Sequence, residues 1–131
     1  MIVLDTHALL WWVAGSPELS PRARRTIQSV LRQGPVSVSA ISVFEIATAV
    51  RRGRLELAVP LEQWLADLRV LPELRFEPVS ADIAHLAGAF EEGMPGDPAD
   101  RIIVATAVKL QARLVSADDR LRQSRKVETV W

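Results

Sequence analysis

Acidic residues recur where this chain changes from one element to the next. Asp5 ends the apolar run MIVLD, Glu45 sits in SVFE, and Asp97 and Asp100 flank the start of PADRIIVATA. Asp118 follows LVSA, with Asp119 directly after it. Taken singly, each reads first as a capping device. Asp5 or Thr6 suits the start of one helix, and Ser42 with Glu45 matches a capping box. Asp97 before Pro98, and Asp118 or Asp119, suit two more helix starts, where negative charge is favoured. Two features point beyond capping. Asp100 shares a helical face with Ile103, Val104 and Ala107, and Glu45 shares one with Ile41, Thr48 and Ala49. Those faces turn inward, and a buried carboxylate needs a partner. Cations are also scarce near these acids in sequence, and Arg101, adjacent to Asp100, points another way. Clustered carboxylates without basic partners repel and take up protons more readily. A divalent cation relieves that repulsion. The donors are all oxygen, which suits Mg²⁺ or Mn²⁺. With no Cys, and only His7 and His85, Zn²⁺ is a poor fit. Such a site suits hydrolysis of phosphate esters by a metal-activated water.

The elements that must position these acids alternate. MIVLD, PVSVSA, RFEPVS, RLVSA and KVETVW read as strands. Between them, THALLWWVAG reads as a helix closed by Gly15, and SPELSPRARRTIQSVLRQG as one with cap signals at Ser16 and Ser20 and a stop at Gly34. ISVFEIATAVRRG ends at Gly53, and VPLEQWLADLRVL starts after Pro60. ADIAHLAGAFEEG follows Ser80, MPGDPAD is a polar loop, PADRIIVATAVKLQ is a helix, and DDRLRQS is a short one. This alternation predicts an α/β fold: a three-layer α/β/α sandwich around a mainly parallel sheet of four to five strands. Open parallel sheets bind ligands at the carboxyl ends of their strands. Asp5, Glu45, Asp100 and Asp118 are expected to gather there.

The chain has 131 residues, enough for one domain, with 49% hydrophobic and 24% charged residues. No apolar run approaches the ~18 residues of a membrane span, and the start does not read as a signal peptide. With no Cys, a cytoplasmic location is expected. Sixteen acidic residues balance sixteen basic ones, so a polyanion would have to meet local patches rather than a global positive field. RARR at Arg22 to Arg25 and RRGR at Arg51 to Arg54 are such patches, although solvated helix faces explain them more simply.

The blocks VLDTHALLWW, SAISVFEIA, GDPADRIIVATA and LVSADDRL, in this order, resemble the PIN-domain ribonucleases, in particular the VapC-type toxins of type II toxin–antitoxin systems. The resemblance covers essentially the whole chain as a single PIN domain, residues 1–131. It implies an α/β/α fold and Mg²⁺- or Mn²⁺-dependent cleavage of RNA phosphodiesters. It further implies Asp5, Glu45, Asp100 and Asp118 as catalytic and metal-binding residues, supported by Thr6 and Ser116; Asp97, read as the cap of its helix, is expected to support the site as well. Ser116 stands where the family often has Thr, and the hydroxyl is kept. Asp119 competes with Asp118 for the fourth place; the motif and the strand end favour Asp118. The implied partners are RNA, a cognate VapB-type antitoxin and a second copy of the chain, with no membrane. ALLWWV (Ala8 to Val13) is apolar all round, so one side is expected to meet either another chain or the neighbouring RRTIQSVL helix.

Two other readings remain. A binding-only PIN-like module would keep the acids as caps. A metal-dependent phosphatase with an aspartyl nucleophile at Asp5 expects an acid at position 7, where this chain has His7.

Overall fold

The computed structural model describes residues 1–94 and 96–131. Among these residues five strands, β1 (Ile2–Leu4), β2 (Val36–Ser39), β3 (Leu74–Glu77), β4 (Arg113–Val115) and β5 (Thr129–Val130), form one sheet in the order β3-β2-β1-β4-β5. Every pairing is parallel. β1 is buried on both faces, which is why its sequence is a continuous apolar run. Among the described residues, seven helices connect and cover the strands: α1 (Thr6–Ala14), α2 (Pro21–Leu31), α3 (Ile41–Arg51), α4 (Leu61–Arg69), α5 (Ala81–Ala89), α6 (Pro98–Lys109) and α7 (Asp119–Gln123).

Successive residues of β1 face opposite layers, as the two-residue period of a strand requires. Ile2 and Leu4 pack with Leu9 of α1, Ile27 of α2, Ile46 of α3 and Leu68 of α4. Val3 packs with Ile103, Val104 and Ala107 of α6 and Leu121 of α7. The expected three layers are therefore present. α5 packs on α6 through Ile83, Ala87 and Ala105.

Strand order decides where the acids meet. The chain builds β1, β2 and β3 outward, then returns through α5 and α6 to lay β4 on the other side of β1. The order reverses between β1 and β4, and such a reversal opens a crevice at the carboxyl edge. Leu4 is in register with Val115, and the Asp5 N–H donates to the Val115 carbonyl at 3.1 Å. Asp5 and Ser116 therefore leave the sheet side by side.

Several local expectations hold. Gly15 closes α1 with φ 63°, and the N–H groups of Gly15 and Ser16 bind the Trp12 and Trp11 carbonyls, a left-handed C-cap that favours glycine. Gly53, at φ 69°, follows α3. Others change. Ser16 starts no helix; its Oγ accepts from the Glu18 N–H in a turn, and Ser20 alone caps α2. β3 ends before Pro78, which has no N–H for a ladder. α5 stops at Ala89, where Phe90 turns extended. β5 is reduced to two residues. The loop expected over MPGDPAD includes Pro95, which lies outside the described residues.

The two tryptophans of α1 pack within the chain. Trp11 and Trp12 are half-buried against the first core layer, and the Trp11 ring lies 5.6 Å from that of Trp131. The arginines of RARR and RRGR are exposed or half-exposed, and Arg24 is tied to the Ser16 carbonyl at 3.0 Å. Among the described residues, no helix is long and apolar enough to cross a membrane.

Candidate active site

A cleft of about 450 Å³ opens at the carboxyl edge of the sheet. Asp5, Glu45, Asp97, Asp100 and Asp118 all line it, together with Thr6, His7 and Arg120. The four acids singled out from sequence are thus brought to one place. Asp119 is not: its side chain is 78% exposed and pairs with Arg122 at 3.2 Å. A second cavity, of about 410 Å³, lies at the opposite, amino-terminal edge near Met1, Arg75 and Arg113, away from these acids.

Asp5 serves the fold and the cleft together. It caps α1, its Oδ1 accepting from the Ala8 N–H at 2.8 Å. Burial pushes its carboxyl up from the ordinary value, against the hydrogen bonds from Ser116 and the Ala8 N–H. The buried Ser116 hydroxyl also accepts from the Asp118 N–H at 3.0 Å, bracing both acids. Ser116 is therefore placed as expected of a supporting residue.

Glu45 does not take part in a capping box. α3 has Ala40 at its N-cap with no side-chain bond, and the Ser39 hydroxyl accepts from the Ile41 N–H instead. Ser42 lies inside the helix and is fully buried. The Thr6 hydroxyl donates to Glu45 Oε1 at 2.5 Å. Its one proton is then used, so in the 2.8 Å contact with Ser42 it accepts. The result is a directed chain, Ser42 to Thr6 to Glu45. Burial pushes the Glu45 carboxyl up, and the Thr6 bond opposes this.

Thr6→Val should break that chain. It leaves a half-buried carboxylate without its donor and the Ser42 hydroxyl without its acceptor, which costs about 1–3 kcal/mol. Urea unfolding should show the loss, and Thr6→Ser should recover most of it. A Thr6→Ser variant less stable than Thr6→Val would show that packing of the methyl group, which valine keeps, matters more than the hydroxyl.

Asp97 caps α6, accepting from the Asp100 N–H at 3.1 Å, and so holds the turn that carries Asp100. The Asp100 side chain is 19% exposed. Burial, and then the charges of Asp97, Glu45 and Asp118, push its carboxyl up to about 6, against Arg120. Arg101, its sequence neighbour, is directed to the Ala87 and Phe90 carbonyls at the end of α5.

Arg120 is the residue missed from sequence, and it corrects the expectation that cations are scarce near the acids. Its Nη2 lies 2.9 Å from Asp118 Oδ2 and 3.5 Å from Asp100 Oδ2. Its backbone N–H also binds Asp118 Oδ1, at 2.9 Å. The guanidinium bond holds the Asp118 carboxyl below its ordinary value. The spacing D-x-R at a helix start was the available signal.

Apart from the His7 imidazole, the side chains lining the cleft that can ligate a metal present oxygen: five carboxylates and the Thr6 hydroxyl. Carboxylate oxygens suit a hard divalent cation, which usually keeps several waters and takes only one or two carboxylates. Among the described residues, no three acid or histidine side chains stand together as a ready-made metal cage. Nor does any buried side-chain polar atom among them lack a partner. The donor type fits Mg²⁺ or Mn²⁺, with Asp5, Glu45 and Asp118 held by hydrogen bonds from Ala8, Thr6 and the Arg120 backbone.

The PIN domain family matches residues 2–127. Ribonuclease VapC22 of Mycobacterium tuberculosis is 38% identical over 132 residues, covering 99% of this chain and 98% of that protein. Among solved structures, VapBC2 from Rickettsia felis bound to a promoter DNA fragment matches with TM-score 0.69 at 16% identity, over 98% of this chain and 97% of that one. FitAcB from Neisseria gonorrhoeae matches with TM-score 0.68 at 24% identity, over 98% and 96%. At these identities the structures establish the fold. The family match and the VapC22 identity, each over nearly the whole chain, establish the rest: this chain belongs to the PIN-domain family, among the VapC-type ribonucleases.

Proposed function

We propose that the protein is a Mg²⁺- or Mn²⁺-dependent endoribonuclease and the toxin of a toxin–antitoxin pair. The observation that carries this reading is the gathering of Asp5, Glu45, Asp100 and Asp118 in one cleft at the switch point of the sheet. The named activity of the 38% identical relative supports the ribonuclease, and the complexes formed by the structural neighbours support the VapB-type antitoxin. A cytoplasmic location and a homodimer complete the proposal.

The ligands that would hold the cation are among these four carboxylates, a hard divalent ion taking one or two directly and keeping several waters. When bound, it lowers the pKa of its water and stabilises charge on the attacked phosphate. The chain's own residues fix the donors beforehand. Thr6 orients Glu45, Ser116 braces Asp5 and the Asp118 backbone, and Asp97 sets the turn bearing Asp100. Such supporting bonds commonly carry tenfold to a hundredfold of metal affinity or activity.

The test is purified, antitoxin-free protein on total RNA. Cleavage should appear with Mg²⁺ or Mn²⁺, vanish with EDTA and return on adding excess cation. Undiminished cleavage in EDTA would overturn the metal dependence. Absence of cleavage under every cation would overturn the nuclease.

A further inference from the structure

Resting on that reading of the cleft, we propose that Arg120 is a built-in counter-ion. It occupies Asp100 and Asp118 in the cation-free protein, surrenders them as the cation enters, and then binds the RNA phosphate at the mouth of the cleft.

Among the described residues, Arg120 is the one Lys or Arg lining the cleft, beside five acids. It meets Asp118 as a fork, with Nε 3.3 Å from Oδ1 and Nη2 2.9 Å from Oδ2. The same Nη2 reaches Asp100 Oδ2 at 3.5 Å. Without it, two carboxylates from different elements, α6 and the start of α7, would face each other across the cleft with no positive charge between them. The guanidinium therefore stands where a cation shared by these two acids would stand, so the two must compete.

Exposure sets the direction of the exchange. The Arg120 side chain is 66% exposed, while those of Asp100 and Asp118 are 19% and 28% exposed. The arginine reaches in from solvent, while Asp118 is held by backbone N–H groups and Asp100 rides on the turn that Asp97 caps. Asp118 keeps its bonds from the Arg120 and Leu121 backbone even when the guanidinium leaves. Releasing Arg120 thus frees carboxylate oxygens without loosening the turn that holds them. A released guanidinium remains tethered to the first turn of α7, at the entrance of the cleft. RNA brings a phosphate to a cleft lined by acids, and a planar guanidinium binds phosphate through paired N–H bonds.

Calorimetric titration with Mn²⁺, on full-length wild type, Arg120→Gln and Arg120→Lys, tests the exchange; steady-state cleavage of a labelled RNA tests the phosphate contact. Arg120→Gln should bind Mn²⁺ about three- to tenfold more tightly, because its competitor is gone. The same variant should raise KM for RNA by about tenfold, with a smaller change in kcat. Arg120→Lys keeps the charge but loses the fork, so its Mn²⁺ affinity should stay near wild type. If wild type takes up no Mn²⁺, the reading of the cleft fails. If wild type binds and Arg120→Gln binds equally or more weakly, the counter-ion proposal fails while that reading stands. An unchanged KM removes the phosphate contact.

Discussion

Asp100→Asn is expected to abolish the proposed cation-dependent RNA cleavage and, in the same molecule, to stabilise the cation-free protein at neutral pH. The first effect follows from the position of Asp100, whose partly buried carboxylate lines the cleft between Asp97, Glu45 and Asp118. Charge stabilisation by a bound metal is worth several kcal/mol in the transition state. At 1.36 kcal/mol per factor of ten, losing one of the proposed ligands should cost about a thousandfold or more in rate. The second effect follows from linkage. The folded protein holds a proton on Asp100 up to about 6, whereas the unfolded chain releases it near 3.8. A raised folded value means that the associated stability is fully present below about pH 4 and is lost as pH rises through about 6. At pH 7 the wild type therefore carries a strained charge, and Asn imitates the protonated form permanently. A shift of this size sets an upper limit of about 3 kcal/mol. The side chain is partly exposed and Arg120 offsets part of the repulsion, so about 1 kcal/mol is the better expectation. That corresponds to a gain of about 3–6 °C in melting temperature at pH 7, shrinking to nothing near pH 4. Melting curves in EDTA at the two pH values check it. A variant less stable than wild type at pH 7 would show that the acid is held by attraction rather than repulsion.

The same residue shows how much was legible in the sequence. The helical period places Asp100 on the face of Ile103, Val104 and Ala107, and that face is buried. The alternation of strand and helix signals likewise leads to the parallel sheet, and Pro98 marks the start of α6 with Asp97 as its cap. What was not legible depends on geometry that the period does not encode. Asp118 and Arg120 are two apart, a spacing that separates side chains inside a helix. Asp118, however, is an N-cap with extended backbone, and its side chain folds forward over the first turn, where Arg120 stands. SVFE matches a capping box by spacing, but α3 begins one residue before Ser42. Ser39 satisfies the Ile41 N–H, and this leaves Ser42 and Glu45 free to meet Thr6 across the interface with α1. The partner of a side chain from a distant element is a property of the packing.

Asp5 joins two roles that the sequence set against each other: the cap of α1 and, in the proposed reaction, a functional acid. Asp5→Asn and Asp5→Ala should lose cleavage alike, by about a thousandfold or more, since neither supplies a carboxylate. Their stabilities should diverge. Asn keeps a side-chain oxygen for the Ala8 N–H, and it removes a charge that burial disfavours. The folded value of Asp5 lies above the ordinary one, so the gain from removing that charge grows as pH rises from acid toward neutral. Asn should therefore hold the wild-type stability to within about 1 kcal/mol, asparagine being among the best N-caps. Alanine loses the cap, at about 1 kcal/mol. It also deprives the buried Ser116 hydroxyl of a partner, which adds about 1–2 kcal/mol. Urea unfolding beside a cleavage assay separates the two roles. If Asn destabilises as much as Ala, the charge itself is needed for the cap. If Asn cleaves RNA normally, the cap is the only role of Asp5, and the acid of the reaction must be sought among Glu45, Asp100 and Asp118.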